Sequence, residues 1–265
     1  MTENETLNTR ILLAARPTGY PKISDFEIDR TVLPTPGPDE FLVRTLFLSL
    51  DPYMRHRMSD ARSYAPPLPL GEVMIGGIVG EVTASHNAHW RVGDIVEGRL
   101  GWQQYAISDG TGMAKVDPSI APISTALGVL GMPGLTAYFG LLEIGRPVPG
   151  ETVLVSAASG AVGAVVGQIA RISGCRVVGI AGGARKVAYI TGELGFDAGI
   201  DYKAEDNLGA AIASACPDGV DVYFDNVGGT ITDAALDNLT RGARIVICGT
   251  VSQSSLSTPE LGPRV

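Results

Sequence analysis

The stretch that most constrains this chain is Thr152–Ser173. A strand-like run, Thr152–Ser156, leads into a tight turn of small residues, Ala157-Ala158-Ser159-Gly160-Ala161-Val162-Gly163. Val162, Val165, Val166, Ile169 and Ile172 then recur near helical spacing, and Gly174 stands where a C-terminal cap belongs. Strand, small-residue turn and helix N-terminus together form a cradle for a dinucleotide phosphate. The unpaired N–H groups and the positive dipole end meet the anion, and the lack of bulky side chains lets the backbone approach it. Small turns kept for packing occur in many α/β proteins, so the turn alone says little. A strand before it, a helix after it and a second strand at the expected distance favour the cofactor.

From that turn onward strands and helices alternate. The pattern predicts strands at Arg176–Ile180, Gly199–Asp201, Val220–Asp225 and Arg244–Cys248, and helices at Arg185–Leu194, Ala204–Ala215 and Thr230–Leu239. Short links between alternating elements mean a parallel, doubly wound sheet, here of five strands where a dinucleotide-binding sheet usually has six. Upstream the character differs. Short strand-like runs at 10–15, 26–30, 40–49, 75–83, 94–98, 103–107 and 114–116 are separated by Pro- and Gly-rich turns such as Pro34–Pro38. Such a pattern predicts a small, partly open antiparallel barrel. Thr125–Leu130 and Leu135–Leu142 look helical, split by Gly131–Gly134. The expected organisation is therefore a barrel domain over 1–123 and a nucleotide-binding domain over 124–265.

Composition excludes several partners. A formal net charge of −8 argues against nucleic acid and anionic membranes. No apolar run is long enough to cross a bilayer, and Met1–Arg10 lacks the apolar core of a signal peptide, so the cytoplasm is expected. Cys175, Cys216 and Cys248 are dispersed and read as reduced thiols. His86 and His89 lie in a turn-like segment without a carboxylate or cysteine at ligand spacing, and no metal is expected.

An NAD site usually carries Asp or Glu at the end of its second strand. Here that strand runs into Ala181-Gly182-Gly183-Ala184-Arg185-Lys186, glycines and cations without a carboxylate. Open backbone plus positive charge suits a 2′-phosphate, hence NADP. The alternative is that Arg185 and Lys186 simply open a solvated helix, although cations are unfavourable at a helix N-terminus. Two later loops, Asp225–Gly229 and Cys248–Ser252, fall at the C-terminal ends of parallel strands, where such sheets bind ligands. Either could equally be an ordinary strand-to-helix turn.

The chain resembles the zinc-independent medium-chain reductases, the group of prostaglandin reductases, alkenal double-bond reductases and curcumin reductases. The matching runs are Leu48–Arg55 (Leu-Ser-Leu-Asp-Pro-Tyr-Met-Arg), Gly131–Tyr138, Ala157–Gly163, Gly182–Lys186, Phe196–Lys203, Phe224–Gly229 and Ile247–Gly249. The resemblance implies a GroES-like barrel joined to a Rossmann-type NADP domain, with the active site in the cleft between them and a possible homodimer. It implies hydride transfer from NADPH to the β-carbon of an α,β-unsaturated ketone or aldehyde, with the carbonyl oxygen held by hydroxyl donors. By the match, Gly160, Ala161, Val162 and Gly163 hold the pyrophosphate, and Gly183 and Lys186 meet the 2′-phosphate. Tyr202 lies by the adenosine phosphate and Asn226 by the ribose. Cys248, Gly249, Thr250, Val251, Ser252, Gln253 and Ser254 run along the nicotinamide half. Tyr53 and Tyr64 line the substrate pocket, with Tyr53 near the enone oxygen. A tyrosine covering a barrel edge is the competing reading of Tyr64.

Two departures from the family stand out. Relatives commonly continue Ser-Gln-Tyr where this chain has Ser252-Gln253-Ser254, a shorter hydroxyl. They also run well past the position of Val265, so a sheet one strand short, with an exposed edge, is expected. The competing functions are a quinone reductase of the same superfamily, which the Asp51–Met54 run disfavours, and a nucleotide-binding protein without catalytic completion.

Overall fold

The structure, a computed structural model, describes residues 7–256 and 258. The chain divides into two compact units, Met1–Leu127 and Gly128–Val265.

In the first unit, β1 (Leu7–Leu13) and β2 (Phe26–Val32) form an antiparallel pair. β3 (Phe41–Leu48), the short helix α1 (Tyr53–Arg57), β4 (Ile78–Ser85), β5 (Ile95–Gly98), β6 (Tyr105–Ser108) and β7 (Ala114–Lys115) follow. The last five strands make one antiparallel sheet in the order β6-β3-β4-β5-β7, so β6 and β7 are its edges and the sheet is open. β3 has no uniform burial. Phe41, Leu42 and Val43 are buried while Leu46, Phe47 and Leu48 are exposed, and bulges at 42/43 and 45/47 break the alternation between faces. Phe41, Val43, Ile78, Val82 and Val96 form the core here, with Trp90 stacked on Phe41 at 5.0 Å. His86 and His89 are exposed in the loop after β4.

The second unit opens with α2 (Met132–Phe139), which continues into a π-helical turn over Gly140–Gly145. The segment Gly131–Gly134, read as a break, is the start of this helix. Pro133 sits in its first turn, where the absent N–H costs no helical bond and the fixed φ is already helical. The expected helix at 125–130 is a 3-10 turn over Ile123–Leu127. Then come β8 (Thr152–Val155), α3 (Ala161–Ile172), β9 (Arg176–Ala181), α4 (Ala184–Gly192), β10 (Ala198–Asp201), α5 (Leu208–Ala215), β11 (Val220–Asp225), α6 (Gly229–Leu236) and β12 (Leu239–Ile247). The five strands are parallel in the order β10-β9-β8-β11-β12.

Boundaries differ most from the sequence pattern at the start of α5 and around Leu239, which the pattern puts at the close of the helix Thr230–Leu239 but which opens β12, α6 having ended at Leu236. α5 begins at Leu208 and not at Ala204, because Asn207 caps it by accepting from Ala210 N at 3.0 Å. β12 begins at Leu239, well before Arg244. Leu239 pairs with Val220, and the Thr240 hydroxyl donates to Asp221 at 2.8 Å, so polar residues that resemble a turn are drawn into the ladder.

Alternation along the strands builds two cores. Val153, Val155, Val177 and Phe224 face one side with α3 residues Val166 and Ala170, while Leu154, Val178, Ile180 and Tyr223 face the other with α5 and α6 residues Ile212 and Ala235. Burial on both faces is the expected property of a parallel sheet, and each fully buried aliphatic side chain contributes about 1.5–3 kcal/mol. The C-terminal ends of β8, β9 and β11 thereby become a rigid rim that carries the loops described next.

Candidate functional site

At the end of β8 the chain turns sharply through Ala157, whose φ is +48°. Gly160 N donates to Ala157 O at 2.9 Å, and Gly160 is the N-cap of α3 in extended conformation. The first helical bond runs from Ala164 N to Gly160 O, which leaves the amides of Ala161, Val162 and Gly163 ahead of it. No side chain caps this end. A Cβ on Gly163 would stand 2.5 Å from Ala157 O and 2.9 Å from Ala158 Cα, so only glycine lets the helix sit this close to the turn.

α4 starts in the same manner. Its N-cap is Gly183, at φ +97°, with no side-chain cap and open space where a Cβ would project. Asp201 at the end of β10 fixes this loop, since its Oδ1 accepts Gly183 N at 2.7 Å and Lys203 N at 3.1 Å. Tyr202 lies over Gly182, where a Cβ would come within 2.8 Å of its ring, and the Lys203 ammonium stands 6.0 Å from the centre of that ring. Arg185 and Lys186 are exposed, and among the described residues neither has an ion-pair partner. Together with Ser159 and Tyr189 they line a cavity of about 470 Å³.

A third cluster gathers around Asp225 at the end of β11. Its carboxylate is buried and accepts from Ser156 Oγ, Tyr223 OH, Val227 N and Gly228 N on Oδ1, and from Thr232 Oγ1 on Oδ2. Burial, and after it the neighbouring Asp225 charge, push the Tyr223 phenol far above its ordinary range, so it stays protonated and donates. Asn226 donates through its backbone N to Ser156 Oγ and through its side chain to Ser156 O, each at 2.8 Å. The second loop folds back onto the first. Cys248 N and Gly249 N donate to Asp225 O, and the Ser252 hydroxyl donates to Val227 O at 2.7 Å. Thr250 closes over Gly228, and Gln253 N donates to Thr250 O. Val251 is exposed, and the Ser254 hydroxyl donates to Val251 O at 2.9 Å within its own turn. Burial raises the Cys248 thiol above its ordinary value, with Asp225 adding to the effect.

Tyr53 and Tyr64 belong to the first unit. Pro52, with φ −56°, opens α1, and Tyr53 is its first residue. The Tyr53 ring packs against a cluster of Leu13, Met54, Met58, Leu68 and Met74. Burial, and after it the Asp51 carboxylate, raise the Tyr53 phenol, against the opposing charges of Arg99 and Arg57. Tyr64 is 79% exposed and near enough to act on the charge of Tyr53. Arg55 is tied to the carbonyls of Pro17 and Gly19.

Sequence reasoning missed the residues that shape these loops, namely Ser156, Asp201, Lys203 and Asp225. A signal existed for one of them: an aspartate closing an otherwise apolar strand, as in Ala198–Asp201, marks a loop anchored from within. The donor set fits a phosphorylated dinucleotide. Two helix ends without side-chain caps offer backbone N–H groups, glycines keep the approach open, and Arg185 and Lys186 supply unpaired positive charge. Among the described residues no group of three or more His, Cys, Asp or Glu side chains gathers as for a metal ion. No helix among them is long and apolar enough to cross a membrane.

These features define a doubly wound dinucleotide-binding protein. Residues 9–116 match the family described as the N-terminal domain of oxidoreductase, and residues 161–262 the family described as zinc-binding dehydrogenase. The chain is 49% identical over 263 residues to the NADPH-dependent curcumin reductase of Escherichia coli strain K12, covering 99% of this chain and 75% of that one. It is 43% identical over 261 residues to the NADP-dependent 2-alkenal reductase of Nicotiana tabacum, covering 97% and 76%. Among solved structures, the crystal structure of CurA in complex with NADPH from Vibrio vulnificus is 49% identical with a TM-score of 0.91, covering 97% of this chain and 76% of that one. The chain belongs to the zinc-independent medium-chain reductases.

Proposed function

We propose that this protein reduces the carbon–carbon double bond of α,β-unsaturated ketones and aldehydes with NADPH. The observation that carries the reading is the pair of glycine-capped helix ends at Gly160 and Gly183 beside Arg185 and Lys186, which have no ion-pair partner among the described residues, in a chain 49% identical to a curcumin reductase. When bound, the dinucleotide supplies the hydride. The amides of Ala161, Val162 and Gly163 hold its pyrophosphate, and Gly183, Lys186 and Tyr202 hold the phosphorylated adenosine end. Asn226 meets a ribose, and residues 248–254 run along the nicotinamide half. Residues 1–123 act as the substrate domain, in which the Tyr53 phenol donates a hydrogen bond to the substrate carbonyl oxygen as charge develops there. Tyr64 borders that pocket. Three free, dispersed thiols support a cytoplasmic location, and a homodimer formed through the nucleotide-binding units completes the reading.

The test mixes the purified chain with NADPH and curcumin and follows loss of the NADPH absorbance band. Turnover with conversion of the double bond is expected; nucleotide binding without turnover on any enone removes the activity. Tyr53→Phe is expected to lower kcat about 100-fold, as for loss of one oxyanion donor, while NADPH affinity stays unchanged. An unaltered kcat removes Tyr53 from the chemistry.

A further inference from the structure

We infer that Asp225 is the positioning residue for the ribose–nicotinamide half of the dinucleotide site; the inference rests on the cofactor reading above. Asp225 is 2% exposed, and among the described residues no cation pairs with it. A buried carboxylate is costly unless its oxygens are satisfied, and here dipoles alone satisfy them. Oδ1 accepts from Ser156 Oγ at 3.1 Å, Tyr223 OH at 3.0 Å, Val227 N at 2.9 Å and Gly228 N at 3.0 Å, while Oδ2 accepts from Thr232 Oγ1 at 2.5 Å. Its main-chain carbonyl takes Cys248 N at 2.8 Å and Gly249 N at 3.0 Å.

One residue thus joins the end of β8, the start of α6 and both loops at the rim of the sheet. Ser156 passes the constraint on. It accepts Asn226 N and, through its carbonyl, the Asn226 side-chain amide. The Asn226 side-chain oxygen has no partner among the described residues, and is left as an acceptor for a ligand hydroxyl. Asp201 holds the opposite half of the site in the same way, through Gly183 N and Lys203 N. The two aspartates divide the work, which makes the inference separable from general damage to the fold.

The experiment is calorimetric titration of wild type, Asp225→Asn and Asp225→Ala with NADPH and with adenosine 2′,5′-bisphosphate, which lacks the nicotinamide riboside half. Asp225→Ala is expected to raise the NADPH Kd about tenfold or more, the effect of roughly one lost charge-assisted hydrogen bond. Its Kd for the bisphosphate should stay within about twofold of wild type, because Asp201 and not Asp225 holds the Gly183 loop. Asp225→Asn, which keeps an acceptor oxygen and the volume, should fall between. Equal weakening of both ligands, or no weakening of NADPH, overturns the inference. Should Asp225→Ala fail to fold, Ser156→Ala carries the same expected split, because it removes the acceptor of Asn226 N. Wild type that binds neither ligand removes the cofactor reading and the inference with it; wild type that binds both, with variants that bind NADPH unimpaired, removes the inference alone.

Discussion

Helices α3 and α5 follow strands of one parallel sheet and pack on its two faces, yet they begin in opposite ways. α5 is capped by Asn207, whose side chain accepts Ala210 N. α3 is entered through Gly160 without any side-chain cap, and α4 through Gly183 repeats the arrangement. A cap stabilises a helix by about 1 kcal/mol, and two cations in the first turn of α4 work against its dipole. α3 and α4 forgo local stability that α5 takes. Among these three helices the difference separates one end that completes itself from two that leave their first amides open, as the proposed phosphate role requires.

The sharpest way to break this comparison is to give α3 the kind of end that α5 has. Gly160→Asp introduces a carboxylate that competes for the amides of the first turn. Stability measured by urea unfolding should shift by no more than about 1 kcal/mol, while NADPH affinity falls by several kcal/mol through like-charge repulsion. Retained affinity in a titration would end the phosphate role of α3. At α4, Lys186→Ala should weaken NADPH by about 1–3 kcal/mol and leave NADH nearly unchanged. Equal effects on the two nucleotides would remove the 2′-phosphate assignment. The smallest effect belongs to α5. Asn207→Ala should lower unfolding stability by about 1 kcal/mol with an unaltered NADPH Kd. A loss of affinity there would show that α5 is coupled to the site and not merely structural.

Much of this architecture is legible in the sequence because the relevant rules are local. The strand at 152, the small-residue turn and the helix ending before Gly174 follow from apolar spacing and small residues, and they stand in the expected order, with the turn closing at Gly160 and residues 161–163 already in the first turn of α3. Gly182–Lys186 is legible for the same reason. What is not legible depends on partners distant in sequence. β12 enters the ladder at Leu239 only because Val220 and Asp221 lie opposite its polar start. The buried role of Asp225 needs Ser156 from 69 residues away, and neither residue alone signals it. α1 hides in the Asp-Pro-Tyr-Met run because five residues are too few for a periodic pattern.

β12 has one further consequence. Among the described residues no strand lies on its outer side, and Ile247 is 76% exposed beside the partly exposed Ile245. Parallel strands bury apolar side chains on both faces, so β12 presents isoleucines together with peptide groups that have no ladder partner on the outer side among the described residues. A flanking segment that paired with β12 would cover these isoleucines at the far edge of the sheet, away from the loops that follow β8, β9 and β11.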